Sequence, residues 1–271
     1  MPGNTQHHLS HSTELFYGGA YFPPAQATNK RRGAPMSLPY RHVFGAVEAA
    51  DADLIVDAAT STELPNATTI IYTTDDDGSS PFDNADTPAP TTIVTAAGET
   101  VSVWPLDVPR NLVAAVTHGS AVVAMTIVVT GYDRWREKVV EQFDITAGGG
   151  SKTDVGNKAL AFVESVAITS AGNATTNTLN LGSGTKLGLP YKLANVYDLL
   201  SYFAGAVEEL ASVTIAAADT TAATATTGDV RGTVTPNTPP DGTDVHACWF
   251  LPADGDPTQR DDLAGVAQYA G

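Results

Sequence analysis

From Thr91 to Ser170 the chain is a succession of short Val-, Thr- and Ile-rich runs, each broken by Gly, Pro, Asn or Asp. Turn signals recur at intervals of about ten residues, the mark of an antiparallel sandwich or barrel. TTIVTAAGETVSVW reads as strand, turn, strand, with Pro105 ending the second strand. NLVAAVTHGSAVVAMTIVVTGYDRWREKVVEQFDI reads as three strands, with turns at HGS and at GYDRWRE. In the third of these, Val139, Phe143 and Ile145 share one face with Glu141 as the exception, and Gln142 and Asp144 fall on the other. That is a half-buried strand with one wet face. AGGGS at 147–151 reads as a flexible connection, and KALAFVESVAITS as a strand with Leu160, Phe162, Val166 and Ile168 in period two.

The flanking segments are less regular. Residues 46–90 hold strands at Asp53–Ala58 and Thr68–Thr74, followed by the polar loop DDDGSSPFDNADTPAP. Beyond residue 175, TLNLGSGTKLGLPYKL reads as strand, Gly turn, strand, and VRGTVTP and VHACWFL as two further strands. Between them, Leu193, Val196, Tyr197, Leu200, Phe203, Val207 and Leu210 follow the i, i+3, i+4, i+7 spacing of an amphipathic helix. Gly205 and the β-branched SVTI pull toward strand, so residues 193–210 are read as helix or strand. The fold class expected is mostly β: an antiparallel β-sandwich or jelly-roll-like body with an extended N-terminal arm and room for one short helix. The organisation expected is an arm at 1–45, a β-sandwich domain at 46–174, and a second β-rich block at 175–271 that shares the same sandwich or stands apart.

Charge separates the arm from the body. The 271 residues carry a formal charge of −16, which argues against nucleic acid and anionic membranes as partners. Four of the basic residues, Lys30, Arg31, Arg32 and Arg41, fall within residues 1–45 beside a single acid, Glu14. The same stretch holds Phe16, Tyr17, Tyr21, Phe22, Tyr40 and Phe44 among prolines and glycines too frequent for helix. A freely solvated tail is poor in aromatics. These ten residues, Glu14 aside, are therefore the candidate interface of an arm that lies on an acidic surface. The alternative is packing on the chain's own body. No apolar run approaches the roughly 20 residues that cross a bilayer, and no signal peptide is recognisable. The expectation is a chain made and assembled in a cytoplasm.

Chemistry-bearing motifs are few. HHLSH (His7, His8, His11) lacks the Glu of a zinc HExxH site. TTDDDGSSPFDN can be laid on a calcium loop with Gly78 at the sixth position, but Thr73 and Asn84 then occupy the positions of the two strongest ligands. The loop at 75–86 therefore reads as a solvated acidic turn. No GxSxG elbow or GxxxxGK[ST] phosphate loop occurs, and the single cysteine, Cys248, lies in an apolar strand where it reads as a small hydrophobe. No enzyme activity, cofactor or metal is expected. At the GYDRWRE turn, Arg134, Trp135 and Arg136 form a second candidate interface, since Trp and Arg are common contact anchors. The alternative is that Trp135 folds back over the sheet.

The succession LDVPRNLVAAV, TIVVTGYDRWREKVVEQFDI and KALAFVESVAITS resembles a pattern in structural proteins of tailed bacteriophages. There, a D-x-P-R-N strand precedes V-x-G-x-D-x-x-x-x-x-V-x-E and a strand opening on Lys-Ala. TKLGLPYKL and TGDVRGTVTPNTPPDG extend the likeness to roughly residues 100–250. The turn departs from it, carrying Arg134, Trp135 and Arg136 where small residues are usual. The resemblance implies a virion component, foremost a capsid cement or decoration protein on the outer shell, a homo-oligomer (dimer or trimer) whose partner is the major capsid protein. It carries over no catalytic residues. A head–tail connector or tail-tube protein, and a carbohydrate-binding adhesin using Tyr132 and Trp135, are the competing classes.

Overall fold

The computed structural model describes residues 38–59, 68–74, 88–118, 121–170, 177–219, 224–252 and 263–268. Seventeen strands occur among them, all paired antiparallel. They are β1 (Tyr40–Ala46), β2 (Val56–Ala59), β3 (Thr69–Thr73), β4 (Thr91–Val94), β5 (Thr100–His118), β6 (Ala121–Val122), β7 (Met125–Tyr132), β8 (Lys138–Ile145) and β9 (Gly148–Gly149). The remainder are β10 (Lys152–Val155), β11 (Leu160–Ser170), β12 (Asn177–Gly188), β13 (Leu199–Ala204), β14 (Val207–Glu208), β15 (Thr214–Ala216), β16 (Thr233–Thr235) and β17 (Val245–Phe250). The mostly β, antiparallel sandwich expected from the alternation is what the chain forms.

The large sheet runs β15-β16-β12-β5-β11-β7-β8, with β2, β3, β4 and β10 as side branches. It curls until β10, paired to β5, comes beside β8, where the Asp144 amide donates to Asp154 Oδ2 (2.9 Å). Its concave face holds the main core, with Leu112, Ala114 and Val116 from β5, Ile127 and Val129 from β7, Val139 and Phe143 from β8, and Leu179 and Leu181 from β12. A small sheet, β1-β17-β13-β14, buries Leu199, Tyr202, Cys248 and Phe250 against Leu187 and Val234 of the large one. Residues 36–271 cluster as one compact unit, and β12 lies directly beside β5.

Four local expectations change. β5 does not end at Pro105 but continues through Pro109 to His118. Phe162 of β11 stands opposite Pro105 and Leu160 opposite Arg110, so residues 106–109 bulge out of the ladder, where the missing amide of Pro109 is not required. GSG in β12 is not a turn; the strand runs through it, with a bulge between Ser183, opposite Leu112, and Leu187, opposite Arg110. AGGGS is not only a connection, since Gly148 and Gly149 pair with Val122 and Ala121.

Finally, residues 193–210 are not an α-helix. Asn195 caps a single 3-10 turn at Val196–Asp198, accepting from the Tyr197 amide (3.0 Å), and strands β13 and β14 follow. The residues of the helical spacing share no buried face, since Tyr197, Leu200 and Val207 are exposed; a bulge at Leu200 instead turns Leu199 and Tyr202 inward.

Candidate functional site

The polar residues of the DVPRN stretch are fasteners, Arg110 and Asn111 buried and Asp107 at the surface. Arg110 is 1 % exposed. Its guanidinium donates to Glu48 O (2.9 Å), Ser183 Oγ (3.2 Å) and Ala49 O (3.4 Å), and its Nε lies 3.3 Å from Asp107 Oδ1. The second oxygen of Asp107 accepts from the Glu48 amide (2.9 Å). The pair therefore straps residues 48–51 onto β5. Asn111 donates to Leu112 O and Gly156 O, and its Oδ1 accepts from the Lys186 amide (2.9 Å), filling the bulge of β12. A cleft of about 530 Å³ opens beside Arg110, walled by Glu48, Asp51, Asp107 and Ser183.

A second polar group sits between the ends of β7, β8 and β11 and the segment entering β16. Glu141, the exception on the apolar face of β8, is 2 % exposed. Its Oε1 accepts from the amides of Asn157 and Lys158. Its Oε2 has no hydrogen-bond partner among the described residues. A Cβ at Gly156 would lie 2.6 Å from that oxygen, so the carboxylate fits only against glycine. Burial pushes the Glu141 carboxyl up to about 7, against the pull of the two amides and of Lys158. Lys158 is fully buried and donates to Val140 O (2.7 Å) and Thr224 O (2.6 Å). Burial holds its ammonium below the usual lysine range, with Glu141 and Asp229 opposing.

Asp229 accepts from the amides of Ala159, Arg231 and Gly232 and from Gln268 Nε2. Burial raises its carboxyl, with Arg231 opposing. Arg231, 2 % exposed, pairs with Asp133 Oδ2 at 2.7 Å and Glu137 Oε2 at 3.2 Å. Three carboxylates and two cations are thus enclosed together. Each bridges segments far apart in sequence.

The GYDRWRE turn is bound on three sides. Asp133 Oδ1 accepts from the Trp135 (2.7 Å) and Glu137 (3.0 Å) amides, closing the loop, and Arg136 takes φ of 63°. Trp135 is half-buried; its indole donates to Pro190 O (3.0 Å) and tilts over Tyr191 (5.9 Å). Arg134 Nη1 lies 3.3 Å from His42 Nε2, and burial together with that guanidinium pushes the His42 imidazole down to about 3. Arg136 is exposed and donates to Val94 O (3.3 Å). Of the three turn residues proposed as an interface, only Arg136 stands out into solvent.

The arm residues divide. Phe16, Tyr17, Tyr21, Phe22, Lys30, Arg31 and Arg32 lie outside the described residues, as does the acidic loop at 75–86. Tyr40, Arg41 and Phe44 belong to β1 of the body rather than to an arm. The Tyr40 ring meets Tyr191 (5.0 Å) and Phe250 (5.6 Å), and Phe44 meets His42 (4.4 Å). Cys248 is fully buried, and burial pushes its thiol up to about 12, far from the thiolate.

Among the described residues, no three His, Cys, Asp or Glu side chains gather closely enough to hold a metal, and no helix is long and apolar enough to cross a membrane. Asp229 and Arg231 were not recognisable as site residues, because the partners that tie them to the strands, Ala159 and Glu137, lie 70 and 94 positions away. Comparison with protein-family models, with curated proteins and with solved structures finds no match.

Proposed function

We propose that the chain is a non-enzymatic structural protein of a tailed-phage virion, binding the outer capsid surface as a cement or decoration protein. One observation carries this reading. Asp107, Arg110, Asn111, Asp133, Glu141 and Lys158, the fixed polar positions of the pattern that resembles phage virion proteins, all fasten strands together. A scaffold that puts its most distinctive side chains into internal bracing is suited to carrying load. The partner is the major capsid protein. Residues 1–37, with Lys30, Arg31 and Arg32, bring positive charge to a chain of net −16 and supply the reach across the shell.

Binding only to the expanded, assembled shell raises that shell's stability by mass action. The test adds purified chain to expanded capsids that lack it and follows both occupancy and shell melting. Saturable binding at many equivalent positions, with a higher melting temperature, is the expected outcome. Binding at a single vertex would assign the chain to the head–tail connection instead, and no saturable binding would remove the virion reading.

A further inference from the structure

We propose that the outer face of the small sheet is a self-association surface, on which a second copy of this chain packs about a two-fold axis. The inner face of this sheet covers the second core. The outer face is set by the register: Arg41, Trp249 and Ser201 stand side by side in one row, and Val43, Ala247, Phe203 and Glu208 in the next. Val245 extends the patch beyond them. Trp249 is 40 % exposed, Val43 42 % and Val245 47 %, while Ala247 is shaded by its larger neighbours. Three of the eleven large apolar side chains exposed among the described residues, Val43, Val245 and Trp249, stand together in these outward rows beside half-buried Phe203, whereas Tyr40 and Val207 belong to the inward rows of Phe250 and Ala204. Such clustering marks an interaction surface, where scattered exposed apolar residues would not.

The charges choose the occupant. In a chain of net −16, two copies repel each other over most of their surfaces. This face instead sets one arginine, Arg41 on edge strand β1, against one glutamate, Glu208 on edge strand β14. A two-fold axis parallel to the strands lays β1 of one copy over β14 of the other. Arg41 then meets Glu208 twice, once at each rim, and the apolar rows meet in the middle. Sheets stacked this way sit about 10 Å apart, a spacing that Trp, Val and Phe side chains fill. An isologous contact of this kind closes on itself as a dimer, with Trp249 as its central anchor.

The inference does not depend on the capsid reading, and its test needs no capsid. The full chain is measured by sedimentation and light scattering across the micromolar range. The expected mass is twice the 28.1 kDa of one chain. Trp249→Glu and Val43→Glu each weaken the dimer at least tenfold while circular dichroism and melting temperature stay those of the parent. Ile71→Glu, at a more exposed apolar position on β3, leaves the dimer intact. Arg41→Glu and Glu208→Arg each weaken it, and the double exchange restores it. A monomeric parent, a folded Trp249→Glu chain that still dimerises, or a double exchange that fails to restore association would each overturn the proposal.

Discussion

Glu141 shows how a single side chain registers in both sequence and energetics. On a strand where Val139, Phe143 and Ile145 point inward, the alternation itself marks Glu141 as a carboxylate with nowhere wet to go. The identities of its neighbours were not legible in the same way: Asn157 and Lys158 follow only after the next hairpin, and Asp229 lies much further on. Its folded-state acidity lies near 7 against an ordinary 4.5, so the protonated form is the one favoured by the fold. The stability it contributes is complete below the unfolded value and fades as pH rises through about 7. Relative to Glu141→Gln, the parent should lose roughly 3 kcal/mol between the two values, read from urea unfolding at a series of pH values. Parallel pH profiles for the two chains would contradict the burial account. Arg231, held between Asp133 and Glu137, gives the complementary case. Arg231→Met leaves buried Asp133 without its cation and should cost about 3–5 kcal/mol of unfolding free energy; a loss below about 1 kcal/mol would mean the pair is not enclosed.

At the scale of elements, close approach decides where strands can lie. Gly131, the glycine of the V-x-G-x-D stretch, sits where an added Cβ would come 2.2 Å from Phe162 O, a backbone atom of the neighbouring ladder. Gly131→Ala must therefore push β7 away from β11. A loss of roughly 1–3 kcal/mol is expected, measured by chemical unfolding and accompanied by shifted amide resonances along both strands. Unchanged stability would show that the two strands are less closely set. The alternation in β7 and β8 was readable because their mutual register is unbroken and period two survives; in β11 a bulge at Glu164 breaks it, and Val163 rather than Phe162 joins Leu160, Val166 and Ile168 in the main core. Where strands bulge it fails. β5 absorbs Pro109 by looping out residues 106–109, and β13 shifts its inward face through the extra residue at Leu200. Both distortions are answers to partner strands about 50 positions away, which local pattern cannot contain.

For the whole molecule, braced interior and outward contact occupy different parts of the chain. The buried charges join β5, β7, β8, β11 and the entry to β16, whereas the exposed apolar side chains gather on the small sheet. The sandwich class was legible from turn spacing alone, but the candidate interfaces were legible only by residue type. Trp135 reads as an anchor in sequence and instead closes over Pro190 and Tyr191; Trp249, in a run read only as an apolar strand, stands exposed. The boundary of the arm shifts for the same reason. Because β1 begins at Tyr40 and pairs along β17, a deletion through residue 45 would strip an edge strand from the small sheet, and the cut belongs at residue 37. The most direct measurement is a titration of expanded capsids, with the full chain and with the chain lacking residues 1–37, read as copies bound per shell. The full chain should saturate at many equivalent positions, and the shortened chain, still folded, should bind at least tenfold more weakly. Equal binding by both chains, or no saturable binding by the full chain, would contradict the account.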